Sequence, residues 1–261
     1  MDPLLELKHV SYAYHTKSGE TYALTDISFQ VQRGEFLAIV GPSGCGKSTL
    51  LSLISGLILP EDGTILRSGM PGASPHSSIG YMLQKDHLFD WRTVYRNVTL
   101  GLEIRHELNK RTRLHVDQML KDYDLYRFRN AVPSELSGGM RQRAALIRTL
   151  ALDPELLLLD EPFSALDFQT RLSVCDDIYA ILRKEKKTAI LVTHDLSEAV
   201  SMADRILVLS QRPARIREVI RVSFAREGLS PFARRNEPEF KDYFNQIWAA
   251  LNPVSPGKEP A

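Results

Sequence analysis

Apolar and polar residues alternate along "LLELKHVSYAY", Leu4 to Tyr14, and β-branched and aromatic types are frequent in it. That pattern predicts a strand. "KSGE" from Lys17 predicts a turn, and "ALTDISFQV" to Val31 predicts a second strand, closed by Arg33-Gly34. "FLAIV", Phe36 to Val40, is apolar at every position, as in a central strand covered on both faces. A helix follows in "STLLSLISGL", then a turn and short strand in "LPEDGTILRSG", then a strand in "SSIGYMLQ" ending at Gln84.

From about Leu88 to Arg129 the period becomes helical. Val116, Leu120 and Tyr123 share a face, with Met119 beside them. "PSELSGGMRQRAALIRTLAL" opens another helix, with Met140, Ala144, Ile147 and Ala151 on one side. Beyond it the chain alternates: strand "ELLLLDEP", helix "RLSVCDDIYAILRKE", strand "TAILVTH", helix "DLSEAVSMA" with a capping box of Asp195 and Glu198, strand "RILVLS". "EFKDYFNQIWAAL" predicts a terminal helix, and "PVSPGKEPA" (253–261) a flexible tail. Strands alternating with helices predict an α/β fold with a mostly parallel sheet covered by helices. An antiparallel β subdomain is added at the start and an α-helical subdomain is inserted in the middle.

Composition narrows the class. The 261 residues are 43% hydrophobic and 25% charged, with a formal net charge of +1. That is ordinary for a globular chain and argues against a dedicated nucleic-acid binder. The basic runs "ILRKEKK" and "ARR" are short enough to be a solvated helix end and a surface loop. Two cysteines, Cys45 and Cys175, give no disulfide framework and no metal spacing, which favours a reducing compartment. The N-terminus shows no signal-peptide pattern, and no stretch reaches the ~18 apolar residues of a membrane-spanning helix.

Three segments carry chemistry. "GPSGCGKST", Gly41 to Thr49, fits the phosphate-loop pattern without deviation, between a buried strand and a helix. Its glycines let the backbone wrap phosphates, Lys47 reaches the outer phosphates, and the Ser48 hydroxyl can hold Mg²⁺. Cys45 reads as a small tolerated residue there, not a nucleophile. "LLLLDE" delivers Asp160 to a strand's carboxyl end, where it can join the Mg²⁺ shell, with Glu161 next to it as a candidate general base. "SELSGGMRQR", Ser134 to Arg143, is a second anion cradle: a serine and two glycines opening a helix. Gln84 and His194 each end a strand. The Gln84 amide can reach metal and water. His194 can hydrogen-bond a γ-phosphate, or can simply precede the cap at Asp195.

In this order and at these distances, "GPSGCGKST", Gln84, "LSGGMRQR", "LLLLDEP", "SALD" and "VTHD" resemble the nucleotide-binding subunit of ATP-binding cassette (ABC) transporters. The resemblance covers the chain to about Gln211, and "LSGG" is that family's signature. It implies a P-loop NTPase core within one ATP-binding domain over 1–252, with a helical subdomain at about 88–149. It implies ATP and Mg²⁺ as ligands and a head-to-tail pair of subunits, each ATP lying between the P-loop of one and the "LSGG" of the other. Nucleotide contacts fall to Tyr14 (with Tyr12 the other choice for stacking on adenine), to Gly41, Pro42, Ser43, Gly44, Cys45, Gly46, Lys47, Ser48 and Thr49, and to Gln84 and Asp160. Ser137, Gly138 and Gly139 touch the partner's nucleotide, and Asp167 belongs to the loop that crosses the dimer. Ser48, Gln84 and Asp160 hold the metal; Lys47, Gln84, Glu161 and His194 serve catalysis. Met140 departs from the glutamine that many members carry.

"LFDWRTVYRNV" and "QRPARIREVI" resemble the importer branch serving nitrate, sulfonates, taurine and thiamine-precursor pyrimidines. That implies a peripheral protein on the cytoplasmic face of the cell membrane. It implies docking to a permease through the Gln84–Trp91 region, with Leu88, Phe89 and Trp91 as exposed anchors, and indirect work with an extracytoplasmic solute-binding protein. An exporter subunit, a non-transport ABC ATPase acting on DNA or the ribosome, and a nucleotide-gated scaffold are the competing readings. The cargo is not written in this chain.

Overall fold

The opening alternation pairs as expected: β1 (Leu5–Thr16) lies antiparallel to β2 (Gly19–Val31), from Leu5 against Val31 to Thr16 against Gly19, with register shifts between Leu7 and Ala13. The computed structural model describes residues 2–17, 19–71 and 79–252. The tail at 253–261 and the start of the strand expected from Ser77 lie outside the described residues. Within that description the chain divides into two compact units, one drawn from both of its ends and one from its middle, with the second division at Ile190.

In the first unit β4 (Asp62–Arg67) and β5 (Met70–Pro71) complete the antiparallel sheet, in the order β2-β1-β4-β5. Beside it β3 (Phe36–Val40) runs parallel to β9 (Arg205–Leu209), and β10 (Ile216–Arg221) folds back antiparallel on β9. All five β3 residues are buried, which is why the segment carries no polar alternation. Asp204 sets the register: its carboxylate accepts from the Phe36 N–H at 2.8 Å, and its own N–H donates to the Phe36 carbonyl at 2.8 Å. Helix α1 (Lys47–Ser55) follows β3 after a short loop. α7 (Leu196–Met202) packs on β3, while α9 (Pro238–Leu251), preceded by the short α8 (Pro231–Arg234), covers β9 and β10. "ARR" is more than a surface loop: Arg234 donates to the Ser201 carbonyl and stacks on Phe224.

The capping box expected at α7 is rearranged. The Asp195 carboxylate does cap the Ser197 and Glu198 N–H groups. Buried Glu198, however, turns to the Thr193 hydroxyl at 2.6 Å, and that hydroxyl accepts the Asp195 N–H at 3.0 Å. A hydroxyl one residue before His194 closes the box in place of a direct bond.

In the second unit β6 (Ile79–Met82) runs parallel to β7 (Leu156–Asp160), and β8 (Thr188–Val192) reaches the division. The helices are α2 (Val94–Val98), α3 (Leu100–Ile104), α4 (Lys110–Asp122), α5 (Gly138–Leu150) and α6 (Phe168–Lys184). The face expected on α4 is buried: Val116, Met119, Leu120 and, just past the helix, Tyr123. Asn97 is fully buried, accepts the Phe89 N–H, and donates to the Phe89, Arg92 and Thr93 carbonyls. One amide thereby fixes the loop ahead of α2. Asn97→Ala strands these backbone groups and is expected to cost about 3 kcal/mol of stability. Urea unfolding checks it, and a loss under half that size overturns the assignment.

The structure contradicts one expectation here. Leu88 is not an exposed anchor but core, at 8% exposure; Phe89 and Trp91 remain exposed at 37% and 78%. Leu88 turns inward because the Asp86 carboxylate accepts its N–H and starts a tight turn.

Candidate functional site

The first unit carries the glycine loop. Leaving β3, the chain turns through Gly44 at φ 71° and Gly46 at φ 121°, where an L side chain is strained. A Cβ on Gly46 would also meet the Ala23 carbonyl oxygen at 3.1 Å. Gly46 is the N-cap of α1 and has no side chain to cap with, so the helix start presents bare N–H groups. Lys47 is buried, and its ammonium donates to the carbonyls of Gly41 (2.8 Å) and Pro42 (2.9 Å). A lone cation sunk among backbone groups in this way suits a polyanion. Ser48 is exposed at the loop's edge. Cys45 is buried, and burial raises its thiol pKa above the ordinary value, which fits a packing residue. Tyr14, 40% exposed, donates to or accepts from the Thr49 hydroxyl at 3.0 Å, and Tyr12 meets it edge-on at 5.1 Å. That contact singles out Tyr14 over Tyr12 as the ring tied to the loop. His194, also in this unit, is exposed just past β8.

The second unit carries the acids and the other cradle. Asp160 ends β7, 8% exposed, with the Tyr81 hydroxyl 3.4 Å from its carboxylate. Glu161 follows at φ 46°, in the left-handed region where a non-glycine residue is strained. The Ser164 N–H and hydroxyl hold its carbonyl at 3.2 and 3.0 Å, which steadies that turn. The Gln84 amide donates to the Glu161 carboxylate at 3.2 Å, joining two residues far apart in sequence.

Ser137 caps α5, its hydroxyl accepting the Met140 N–H at 3.4 Å. The two glycines after it meet a packing need. A Cβ on Gly139 would stand 2.8 Å from Thr170 Cγ2, and one on Gly138 3.2 Å from Leu166 Cδ2. Asp167 caps α6, and the Thr170 hydroxyl and N–H hold its carboxyl below the usual pKa.

Sequence reading missed a clamp in this unit. Arg148 of α5 donates to the Asp86 and His87 carbonyls, both at 2.6 Å, and Arg141 donates to the Asp86 carboxylate at 2.9 Å. These bonds lock the segment after Gln84 to the helix that begins at the serine-glycine cradle. Burial lowers the Arg148 pKa. No periodicity pairs residues 62 apart, so only the tertiary structure reveals the clamp.

A buried β strand feeding a glycine loop and an uncapped helix defines the class, a P-loop nucleotide-binding protein with an α/β core. Residues 24–164 match the family described as ABC transporter. The ABC transporter ATP-binding protein YtlC of Bacillus subtilis (strain 168) is 45% identical over 248 residues, 95% of each chain. The taurine import ATP-binding protein TauB of Jannaschia sp. (strain CCS1) is 36% identical, over 93% of this chain and 92% of its own. The aliphatic sulfonates import ATP-binding protein SsuB of Bacillus licheniformis (strain ATCC 14580) is 42% identical, over 88% of this chain and 87% of its own. Among solved structures, the ATP-binding cassette MJ0796, a dimer in a post-hydrolysis state bound to ADP and Pi, superimposes with a TM-score of 0.73 at 29% identity. That match covers 84% of this chain and 99% of that one. The chain belongs to the ABC transporter family. It is an ATP-binding cassette, and it hydrolyses ATP. Among the described residues no helix is long and apolar enough to cross a membrane.

Proposed function

We propose that this ATPase drives a membrane permease that imports a small solute, docking on it from the cytoplasmic face. The observation that carries the reading is that one chain bears two anion cradles: the Gly41–Thr49 loop before α1 and the Ser137–Gly139 start of α5. One polyphosphate at the first leaves the second unused unless a second copy offers its own, head to tail. The dimeric state of MJ0796 supports that pairing.

In the proposed cycle Gly41 to Thr49 hold the phosphates and Tyr14 stacks on adenine, while the partner's signature cradle covers the exposed side. Asp167 lies in the loop crossing the dimer. Glu161 takes the proton of the attacking water, oriented by Gln84 at its carboxylate. His194 donates to the γ-phosphate. Ser48, Gln84 and Asp160 are oxygen donors of the kind a hard cation takes, so they fit Mg²⁺. When bound, Mg²⁺ would neutralise charge building on the phosphates.

The segment Gln84–Trp91 suits a permease contact. Phe89 and Trp91 form an exposed aromatic pair, ring centroids 4.8 Å apart, on a loop held by Asn97, Arg141 and Arg148. The TauB and SsuB relatives favour taurine, a sulfonate or a similar small solute, delivered by an extracytoplasmic binding protein.

Trp91→Ala is expected to leave the ATPase of the isolated protein within about twofold while cutting uptake about tenfold or more, the size of one interface anchor. Uptake is measured in a host that lacks this subunit, restored with wild type or variant, using labelled taurine, alkanesulfonates, nitrate and hydroxymethylpyrimidine. Restored uptake of one solute by wild type alone supports the reading. No solute responding to the deletion overturns it.

A further inference from the structure

The segment "QRPARI", used above only for its resemblance to the importer branch, follows a strand that ends beside the start of the phosphate loop. β9 runs parallel to β3, Val208 opposite Val40, so both strands end at the same edge of the first unit. Gly41 then leaves β3 directly beside the end of β9: a Cβ there would lie 3.1 Å from Leu209 Cβ. Beyond Leu209 the chain makes a tight turn, the Ser210 N–H donating to the Arg215 carbonyl at 2.9 Å and the Arg215 N–H to the Ser210 hydroxyl at 3.0 Å. Buried Ala214 pins this turn to β2. Its N–H donates to the Ala23 carbonyl, and its own carbonyl accepts the Thr25 N–H, both at 2.9 Å. The same Ala23 carbonyl packs under Gly46. The 210–215 turn and the phosphate loop therefore share a floor, the Ala23–Leu24 stretch of β2.

Arg212 stands at the tip of that turn and is exposed. Among the described residues its guanidinium has no hydrogen bond or ion pair, although the Arg215 and Ile216 backbones near it are tied into the hairpin. Its nearness to the loop is felt electrostatically, because its charge opposes the effect of burial on the Cys45 thiol.

We propose that Arg212 is a further nucleotide-binding residue: a second cation, besides Lys47, that contacts the phosphate tail of the nucleotide held by Gly41–Thr49. The proposal rests on the reading that this loop binds ATP. Lys47 works from inside the loop as a point charge. Arg212 reaches in from the rim, where a planar fork can take two oxygens at once. Its contribution is to affinity, since it carries no proton to or from the reacting atoms.

The test is titration calorimetry of the full chain with ATP, ADP and adenosine, for wild type, Arg212→Ala and Arg212→Lys, with melting temperature as a check on folding. Arg212→Ala is expected to weaken ATP about tenfold, the size of one charge-assisted hydrogen bond, ADP less, and adenosine not at all. Arg212→Lys should recover part of the ATP affinity. If wild type binds ATP and Arg212→Ala binds it within twofold, or weakens adenosine equally, the Arg212 assignment is overturned and the loop reading stands. If wild type itself does not bind ATP, the loop reading falls first.

Discussion

Lys47→Ala is expected to weaken ATP by about 100-fold or more and to abolish measurable turnover. The ammonium is buried and held by the two carbonyls that open the loop, at 2.8 and 2.9 Å. It is thus already desolvated and placed before any phosphate arrives. A charge-assisted bond from the third N–H of the ammonium to a phosphate oxygen, at about 1.5–3 kcal/mol, accounts for a loss of about that size. Alanine keeps the helix and removes only the charge and its stem. The check is thermal melting with and without ATP. Wild type should gain stability with ligand, by about 2.7 kcal/mol at a hundredfold excess over Kd, and the variant should gain almost none at the same concentration. An equal ATP-dependent gain in the variant would contradict the placement of phosphate on this loop.

Glu161→Gln is expected to separate binding from chemistry. The substitution preserves shape. It also preserves the strained backbone at φ 46°, since glutamine and glutamate differ little there, and the amide can still meet Gln84 across 3.2 Å. What disappears is the proton acceptor, for which a loss of about 10²–10⁴ in turnover is typical. With ATP still bound and unhydrolysed, the proposed head-to-tail pair should persist. Size exclusion with MgATP would then show a dimer for the variant and a shorter-lived one for wild type. Residual turnover near the wild-type rate would remove Glu161 from the role of base. A variant that stays monomeric at high protein concentration with MgATP would remove the main support for the cradle at Ser137 acting on a partner.

Much of this was legible in the chain because the chemistry is local. A phosphate loop needs its glycines, lysine and hydroxyl within a single turn. Gly41 to Thr49 therefore announce themselves, as do Asp160 and Glu161 at the end of an apolar run. Periodicity likewise marked β3, β7 and β8 as buried strands and the inner face of α4, because burial acts on every residue of a regular element.

Contacts between distant segments were not legible. Leu88 looks like its exposed neighbours Phe89 and Trp91 in sequence, and only the turn at Asp86 sends it inward. The Glu198 carboxylate suits a direct capping box, but a nearby Thr193 hydroxyl offered a closer partner. The Arg148 clamp and the approach of the end of β9 to the glycine loop both cross long stretches of chain. The sequence by itself determined the class of protein and marked its glycine loop and its acidic pair, since these depend on residue types a few positions apart. The tertiary structure alone decided which tyrosine is tied to the loop, how Gln84 meets Glu161, and that the turn after β9 starts beside the glycine loop. Hydrogen bonds and charges act over a few ångströms of space, and folding sets that distance independently of separation along the chain.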